Sequence, residues 1–183
     1  MKIKLFKIIS DFRKKQILIW SIGTNGLGSS VVVSNLIKSI CKNNHRQKFL
    51  IIYSDKSLLA YKIKKLTLTN INQNIKFIKV KKFIRFYPVQ LLIRTFYNPD
   101  LFFKATYVLD DFPFKYSKKQ LLYFHQSNIL NPKGINWHLK RIVFHFLLNK
   151  YTKVYLQTNH IYNKFNKSFP YTTKNTITFL HKY

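Results

Sequence analysis

The chain of 183 residues has room for one domain with a sizeable core, and its 46% hydrophobic residues exclude a disordered tail. Thirty-three Lys and Arg face five Asp and no Glu, a formal net charge of +28 that attracts nucleic acid, anionic lipid headgroups or phosphorylated substrates. The single cysteine, Cys41, excludes an internal disulfide and predicts a reducing, cytoplasmic location, and the six scattered histidines show no zinc-site spacing.

The charge is carried mostly by lysine, since only five of the 33 basic residues are arginine. Lys, Asn, Ile, Phe and Tyr are abundant together, as expected of a chain under a global compositional bias, so the charge is either background or a binding surface. The lysines are spread along the chain and no recognition motif accompanies them, which argues against a nucleic-acid-binding module without excluding it.

Residues 1–15 form a basic amphipathic segment ahead of a single domain that spans residues 16–183. The apolar residues of the segment follow helical spacing, at Leu5, Ile8, Ile9 and Phe12. Charged residues interrupt them, so the segment is no secretory signal, and no stretch of the chain reaches the ~18 uncharged apolar residues of a membrane span. The pattern predicts a helix that lies either on an anionic membrane surface or on its own domain.

Apolar runs alternate with longer amphipathic segments from residue 16 onward. The first half predicts a strand, a helix, two further strands and a helix, at residues 16–22, 31–41, 48–53, 75–80 and 88–97. The second half predicts two strands, a helix, a strand, a short helix and a last strand, at 107–109, 121–124, 137–151, 153–156, 159–165 and 176–180. Residues 56–74 carry no clear pattern. Continuous apolar strands separated by helices predict an α/β fold, with a mostly parallel sheet of about six or seven strands and helices on both faces.

The carboxyl ends of parallel strands are where such sheets bind ligands, so the residues that follow each strand are candidates for a site. The first strand is followed by a turn that contains Gly23, Gly26 and Gly28. Glycines allow a tight turn and a close approach to a ligand, and the N-terminus of the next helix aims free N–H groups at it. The G-x-x-G-x-G spacing from Gly23 matches neither the dinucleotide fingerprint nor a P-loop, so a purely structural turn stays open beside a phosphate-binding one.

Carboxylates follow two of the later strands. Asp55 lies where a dinucleotide fold holds the adenosine ribose, which keeps an NAD(P)-dependent oxidoreductase open, although a solvated loop aspartate is favoured. Asp110 and Asp111 end the fourth strand, and because Pro113 follows, a turn or cap role is favoured over a metal site.

A histidine, His125, follows the fifth strand. It can hydrogen-bond a sugar hydroxyl or hold a proton near neutral pH, and an ordinary packed histidine is the alternative. Since the carboxyl ends of parallel strands meet at one edge, we expect Gly26, Gly28, Asp110 and His125 to face a common cleft.

Four segments, in order, resemble the N-terminal domain of family-4-type, GT-B-fold glycosyltransferases of bacterial polysaccharide assembly. They are IWSIGTNGLGSSVVVSNLIKSI, TYVLDDFPF, KKQLLYFHQSNI and KVYLQTNHIYNKF, and together they span residues 16 to about 165. The resemblance implies a Rossmann-like domain that forms the acceptor-side half of a GT-B fold.

The resemblance also implies roles for individual residues. Gly26 and Gly28 would line the interdomain cleft near the donor phosphates, and His125 would be the catalytic residue, in contact with the transferred sugar. Gln126, Gln157 and Thr158 would shape the acceptor side. Together with Asp110, these residues make up the predicted substrate-binding set.

In that family the nucleotide-sugar lies mainly on a second Rossmann-like domain, where a pair of glutamates and basic residues hold it. This sequence contains no glutamate. We therefore expect a truncated or split enzyme whose donor binds to a separate domain or subunit, no cofactor or metal in this chain, and no sugar transfer by the isolated chain. Lipid-linked or saccharide acceptors at the inner face of the membrane would give the basic surface and the segment 1–15 a use.

Overall fold

The computed structural model describes residues 16–24, 27–42, 47–55, 57–67, 74–110, 112–124, 127–171 and 176–178. The strands of this part of the chain are β1 Gln16–Ser21, β2 Lys48–Ser54, β3 Ile75–Val80, β4 Ala105–Val108, β5 Gln120–Phe124, β6 Lys153–Leu156 and β7 Thr176–Thr178. The α-helices are α1 Leu27–Lys42, α2 Leu58–Thr67, α3 Tyr87–Phe96, α4 Ser127–Leu130, α5 Ile135–Leu147 and α6 Asn159–Ser168. Two short 3₁₀ turns, Lys82–Arg85 and Pro99–Leu101, flank α3.

All seven strands run parallel in one sheet, in the order β3-β2-β1-β4-β5-β6-β7. The first six follow the order of dinucleotide-binding doubly wound sheets, and β7 extends the edge. The central strands are apolar on both sides because helices or loops cover both faces. The predicted α/β fold, a Rossmann-like parallel sheet with helices on both faces, is confirmed.

Each face of the sheet has its own hydrophobic cluster. On one face, α1 and α2 pack apolar residues such as Ile37 and Ile63 against Ile19 and Ile51. On the other face, α3, α5 and α6 cover a cluster rich in aromatic rings, at Trp20, Phe112, Phe114, Phe124, Phe144 and Phe165. The phenylalanines meet edge to face or tilted, with ring centroids 5.1 Å apart for Phe124 and Phe165, which adds directional contacts to the area that they bury.

Element boundaries differ from the prediction by one to four residues in several places, and three differences matter most. Helix α1 begins at Leu27, so Gly28 lies in its first turn and not in the preceding loop. Helix α2 occupies part of the segment 56–74, for which no element was predicted. Helix α5 ends at Leu147 and not at residue 151, because the Asn149 side chain leaves the helix and donates to the carbonyls of Lys115 and Ser117, both at 2.9 Å.

The predicted N-terminal amphipathic segment, residues 1–15, and the predicted strand residues 179–180 lie outside the described residues. No helix within the described ranges is long and apolar enough to cross a membrane.

Candidate functional site

The carboxyl ends of β1 and β4 form the point where the chain changes direction on the sheet. The two strands are neighbours, and successive connections from them lie on opposite faces. After β1 the chain turns through Gly23 and Thr24 toward α1, and after β4 it continues through Leu109 and Asp110. In open α/β sheets this position is the usual ligand crevice. We call it the switch point.

Asp110 is bound to the protein itself at the switch point. Its side chain is buried, with the residue 2% exposed. One carboxylate oxygen, Oδ2, accepts a hydrogen bond of 3.0 Å from the Gly23 N–H, and the other, Oδ1, is 2.5 Å from Nη2 of Arg94. Both oxygens are engaged, so these bonds indicate that Asp110 holds the turn after β1 in place. The predicted turn role agrees with this arrangement better than a direct contact with substrate.

Gly23 is packed directly against that carboxylate. A Cβ at this position would lie 3.0 Å from Asp110 Cβ and 3.1 Å from its Oδ2, closer than side chains normally approach. Thr24 adds a second tie between the strand ends, because its Oγ1 donates to the Leu109 carbonyl at 3.0 Å. The glycine is therefore required by close approach. The sequence prediction gave a site role to Gly26 and Gly28 but not to Gly23, although Gly23 is the first residue of the turn that the motif marks.

Arg94 is the most buried cation of the described chain, at 1% exposure. Besides pairing with Asp110, its Nη1 donates to the Phe112 carbonyl, and its guanidinium lies 4.8 Å from the Phe114 ring centroid and 5.4 Å from that of Trp20. Sequence reasoning missed this residue. A signal was present, since Gln90 and Arg94 are one helical turn apart and so lie on one face of α3.

The turn after β2 contains Asp55. Its backbone N–H donates to the Val80 carbonyl at 2.8 Å, which ties β2 to β3. The residue is half-buried, and its Oδ1 is buried with no hydrogen-bond partner in the described part of the chain. This oxygen is shielded, whereas the residue as a whole is partly exposed, so the favoured interpretation of a solvated loop aspartate stays a prediction. Nearby, burial raises the pKa of the Tyr53 hydroxyl above its ordinary value.

Several of the predicted site residues cannot be placed in this geometry. Gly26, His125 and Gln126 lie outside the described residues, as does Asp111. Gly28 lies in the first turn of α1. We expected these residues to face one cleft. The structure shows only that the strands they follow end side by side, because β4, β5 and β6 are successive neighbours in the sheet.

Gln157 and Thr158 follow β6 directly. The Gln157 side chain donates to the Tyr123 hydroxyl at 2.9 Å, which joins the ends of β5 and β6. Thr158 is the N-cap of α6, where its Oγ1 accepts a hydrogen bond of 3.3 Å from the Ile161 N–H. Thr158 is exposed and lines a cleft, whereas Gln157 is occupied with the sheet.

The cleft beside Thr158 lies between α4, the loop that follows it, and α6. It consists of two adjoining cavities of about 410 and 510 Å³ that share Leu130, Asn131 and Lys164. Basic side chains surround it, at Lys133, Arg141, His160, Lys164 and Lys167. Among the described residues that line the two cavities, none is acidic. We call this the cationic cleft; one end of it adjoins the carboxyl ends of β5 and β6, where α4 and α6 begin, and it continues past Arg141 of α5 to the last turn of α6.

The cationic cleft combines positive charge with amide and hydroxyl groups, from Asn128, Asn131 and Thr158. Lysine ammonium groups bind phosphate oxygens, and side-chain amides and hydroxyls hydrogen-bond sugar hydroxyls. Such a surface fits a phosphorylated or polyhydroxylated ligand. Within the described ranges, no group of three or more His, Cys, Asp or Glu residues is arranged to hold a metal ion.

Comparison with models of protein families, with curated proteins and with solved structures finds no match to this chain. These observations define a Rossmann-like α/β domain. At its switch point the polar side chains are buried and bonded to each other, and an open cationic cleft begins at the same edge of the sheet.

Proposed function

We propose that the chain is the acceptor-side domain of a glycosyltransferase of polysaccharide or lipopolysaccharide assembly. The observation that supports the proposal is the cationic cleft. It lies at the carboxyl ends of β5 and β6, and Thr158, which the sequence resemblance gives to the acceptor side, lines it. The side chains of the cleft are therefore complementary to an acceptor that carries both hydroxyls and phosphate, such as a lipid-linked saccharide.

Within this proposal, the cleft positions the acceptor and does not activate it. Lys133 and Lys164 would pair with acceptor phosphates, while Asn131 and Thr158 would orient a sugar ring. His125 would contact the transferred sugar, with Gln126 and Gln157 beside the acceptor, as the resemblance implies.

The donor would be held jointly with a separate domain or subunit. Transfer from a nucleotide diphosphate needs fixed groups that neutralise charge on the leaving group, in a site from which water is excluded. This sequence has no glutamate to supply the paired carboxylates of the family's donor site. Gly26 and Gly28 would line the donor phosphates, where the first turn of α1 presents backbone N–H groups. The complete enzyme would then be a cytoplasmic protein on the inner face of the membrane.

The proposal is tested in two stages with purified protein. First, farnesyl diphosphate serves as a soluble lipid diphosphate probe and farnesol as its uncharged counterpart, with binding followed by calorimetry. We expect the diphosphate to bind and farnesol to bind at least about tenfold more weakly, because only the diphosphate meets the cleft lysines. Equal affinity for the two would contradict an acceptor-phosphate site.

Second, the protein is incubated with a panel of nucleotide-sugars and membrane extract, and released nucleotide diphosphate is measured. The isolated chain is expected to release none above background. Turnover that disappears in His125→Ala would show that this domain binds the donor without a partner, and would overturn that part of the proposal.

A second candidate function, binding of a nicotinamide dinucleotide, is favoured by Asp55. Its buried and unpartnered Oδ1 follows β2, the position from which dinucleotide folds bind the adenosine ribose. NADH fluorescence distinguishes the two functions. A saturable rise in NADH fluorescence, with an affinity that Asp55→Asn lowers by about tenfold, would favour the oxidoreductase. The asparagine amide lacks the negative charge that binds the two ribose hydroxyls. We expect no saturable enhancement.

A further inference from the structure

Helix α3 buries two polar side chains and exposes two large apolar ones. Gln90 and Arg94 are buried, whereas Leu92 and Phe96 on the outer side are 58% and 75% exposed. Other apolar side chains of α3 are partly buried against the core, so apolar residues lie on both sides of the helix. The ion pair of Arg94 with Asp110 holds the helix in this orientation, which keeps Leu92 and Phe96 on the outside.

The apolar surface continues into the 3₁₀ turn ahead of α3. Phe83 and Phe86 are exposed there. They line an open, mostly apolar cavity of about 550 Å³ together with Lys82, Tyr87 and Val89. A groove of this kind receives apolar groups from outside the chain.

Helix α5 carries a second exposed apolar stripe. Its members follow each other at helical spacing and are 50–72% exposed, at Ile135, Leu139, Ile142 and Phe146. The opposite side of the helix is anchored in the core by Phe144 and Leu147, both fully buried. One side of α5 therefore packs into the core, and the other side is apolar and exposed.

The two helices present their outer sides in the same direction, because both cover the same sheet face and contact each other. We call the combined set the outer apolar surface; it consists of Phe83, Phe86, Leu92, Phe96, Ile135, Leu139, Ile142 and Phe146. Contiguous exposed apolar residues on this scale mark an interaction surface.

Cations border this surface. Exposed Lys81 and Lys82 adjoin Phe83, and the Lys115 ammonium lies 3.4 Å from the centroid of the Phe146 ring. The nearby carboxylate of Asp100 accepts hydrogen bonds from the Ser117 hydroxyl and from two backbone N–H groups, and its single negative charge is smaller than the charge of the three lysines.

The positive charge of the chain indicates which partner covers the outer apolar surface. A second copy of this chain would bring two bodies of formal charge +28 together, which opposes association. An anionic bilayer offers negative headgroups to the lysines and an apolar layer to the aromatic and aliphatic side chains. We propose that the outer apolar surface inserts into the headgroup region of an anionic membrane, with α3 and α5 lying along it. This rests on exposure and charge alone and is independent of sugar transfer.

The test is co-sedimentation of the whole chain with vesicles. The vesicles are phosphatidylcholine alone or phosphatidylcholine with about 30% phosphatidylglycerol, which resembles an anionic leaflet. We expect binding to the anionic vesicles, weakened by salt, and a loss of at least about tenfold in the F96S/I142S double variant. Tyr61→Ser is the matched control, since Tyr61 is 74% exposed on α2 at the other sheet face; it should bind as the unchanged chain does.

Two other outcomes overturn the proposal. Binding by F96S/I142S equal to that of the unchanged chain would place membrane contact elsewhere. A dimer in sedimentation velocity without lipid, abolished by the same double variant, would make a second copy the occupant. If circular dichroism shows that F96S/I142S does not fold, the L92S/L139S pair repeats the comparison at other positions of the same surface.

Discussion

The switch point and the cationic cleft lie at the same edge of the sheet but use their polar side chains in opposite ways. At the switch point, Asp110 and Arg94 are buried and bind each other, the Gly23 N–H and a carbonyl. In the cationic cleft, exposed side chains such as Lys133 and Lys164 border open space, and the described part of its lining contains no acidic residue.

This difference separates a role in folding from a role in binding. A polar residue at the carboxyl end of a strand is a candidate ligand contact by position, but its burial and its partners decide what it does. We therefore expect substitutions at the switch point to lower stability, and substitutions in the cationic cleft to lower ligand affinity while the fold is kept. The following predictions test that separation.

The largest effect is expected from Arg94→Ala. It leaves the Asp110 carboxylate buried without its cation, so the free energy of unfolding should fall by about 3–5 kcal/mol in urea denaturation. The R94M/D110N double variant is the control, because it removes both charges and keeps an acceptor for the Gly23 N–H. It should recover most of the loss, and a loss as large as that of Arg94→Ala would argue against a charge effect.

Gly23→Ala should be the next most damaging change. The new Cβ would meet Asp110 at 3.0 Å, so unfolding should become easier by about 1–3 kcal/mol. Gly134→Ala is the comparison, since its Cβ would meet nothing within 4 Å and only its backbone φ of +84° resists. In a double-mutant cycle with Asp110→Gly, which removes both the Cβ and the carboxylate, Gly23→Ala should show coupling and Gly134→Ala should be additive. Equal coupling for both would remove the close-approach explanation.

Thr158→Ala tests a residue that belongs to both roles. Loss of the N-cap of α6 should cost about 1 kcal/mol of stability, measured by thermal or urea unfolding. The same variant should weaken binding of farnesyl diphosphate if Thr158 contacts the ligand. Thr158→Ser keeps the hydroxyl and should preserve both properties; a stable but non-binding serine variant would instead assign a role to the threonine methyl group.

The smallest effect on stability is expected from Lys164→Ala. Lys164 is exposed, so the free energy of unfolding should change by less than about 0.5 kcal/mol. Affinity for farnesyl diphosphate should fall about three- to tenfold at low salt, and the difference should shrink as salt rises. Lys38→Ala, exposed on α1, is the matched control and should leave affinity unchanged. A similar loss in both variants would attribute binding to net charge and not to the cationic cleft.

The sheet could be predicted because its signal is local. Each strand is a short apolar run, and the helices between them show their spacing in the sequence, so the α/β class and the parallel sheet followed. The prediction of helices failed where the sequence pattern is weak, or where a contact with a distant segment ends a helix early. Helix α2 has three lysines close together in its second half, and α5 ends early because Asn149 binds a loop that is distant in sequence.

The candidate site was predictable only in its location. The sequence placed Asp110 and Thr158 at strand ends, and both lie there. The partners of Asp110 could not be predicted. Gly23 is 87 positions away in the sequence, and Arg94 lies on a separate helix, α3. The basic residues of the cationic cleft come from a loop and two helices, and among so many lysines none stood out.

The sequence by itself determined the fold class and the edge of the sheet at which polar residues collect, since both depend on periodicity within short segments. Only the tertiary structure decided which of those residues are occupied with each other and which border open space. It also decided that Leu92 and Phe96 of α3 face outward, because Arg94 on the other side of the helix is bound to Asp110 in the interior. Side-chain partners are set by contacts between distant segments, and no local pattern records them.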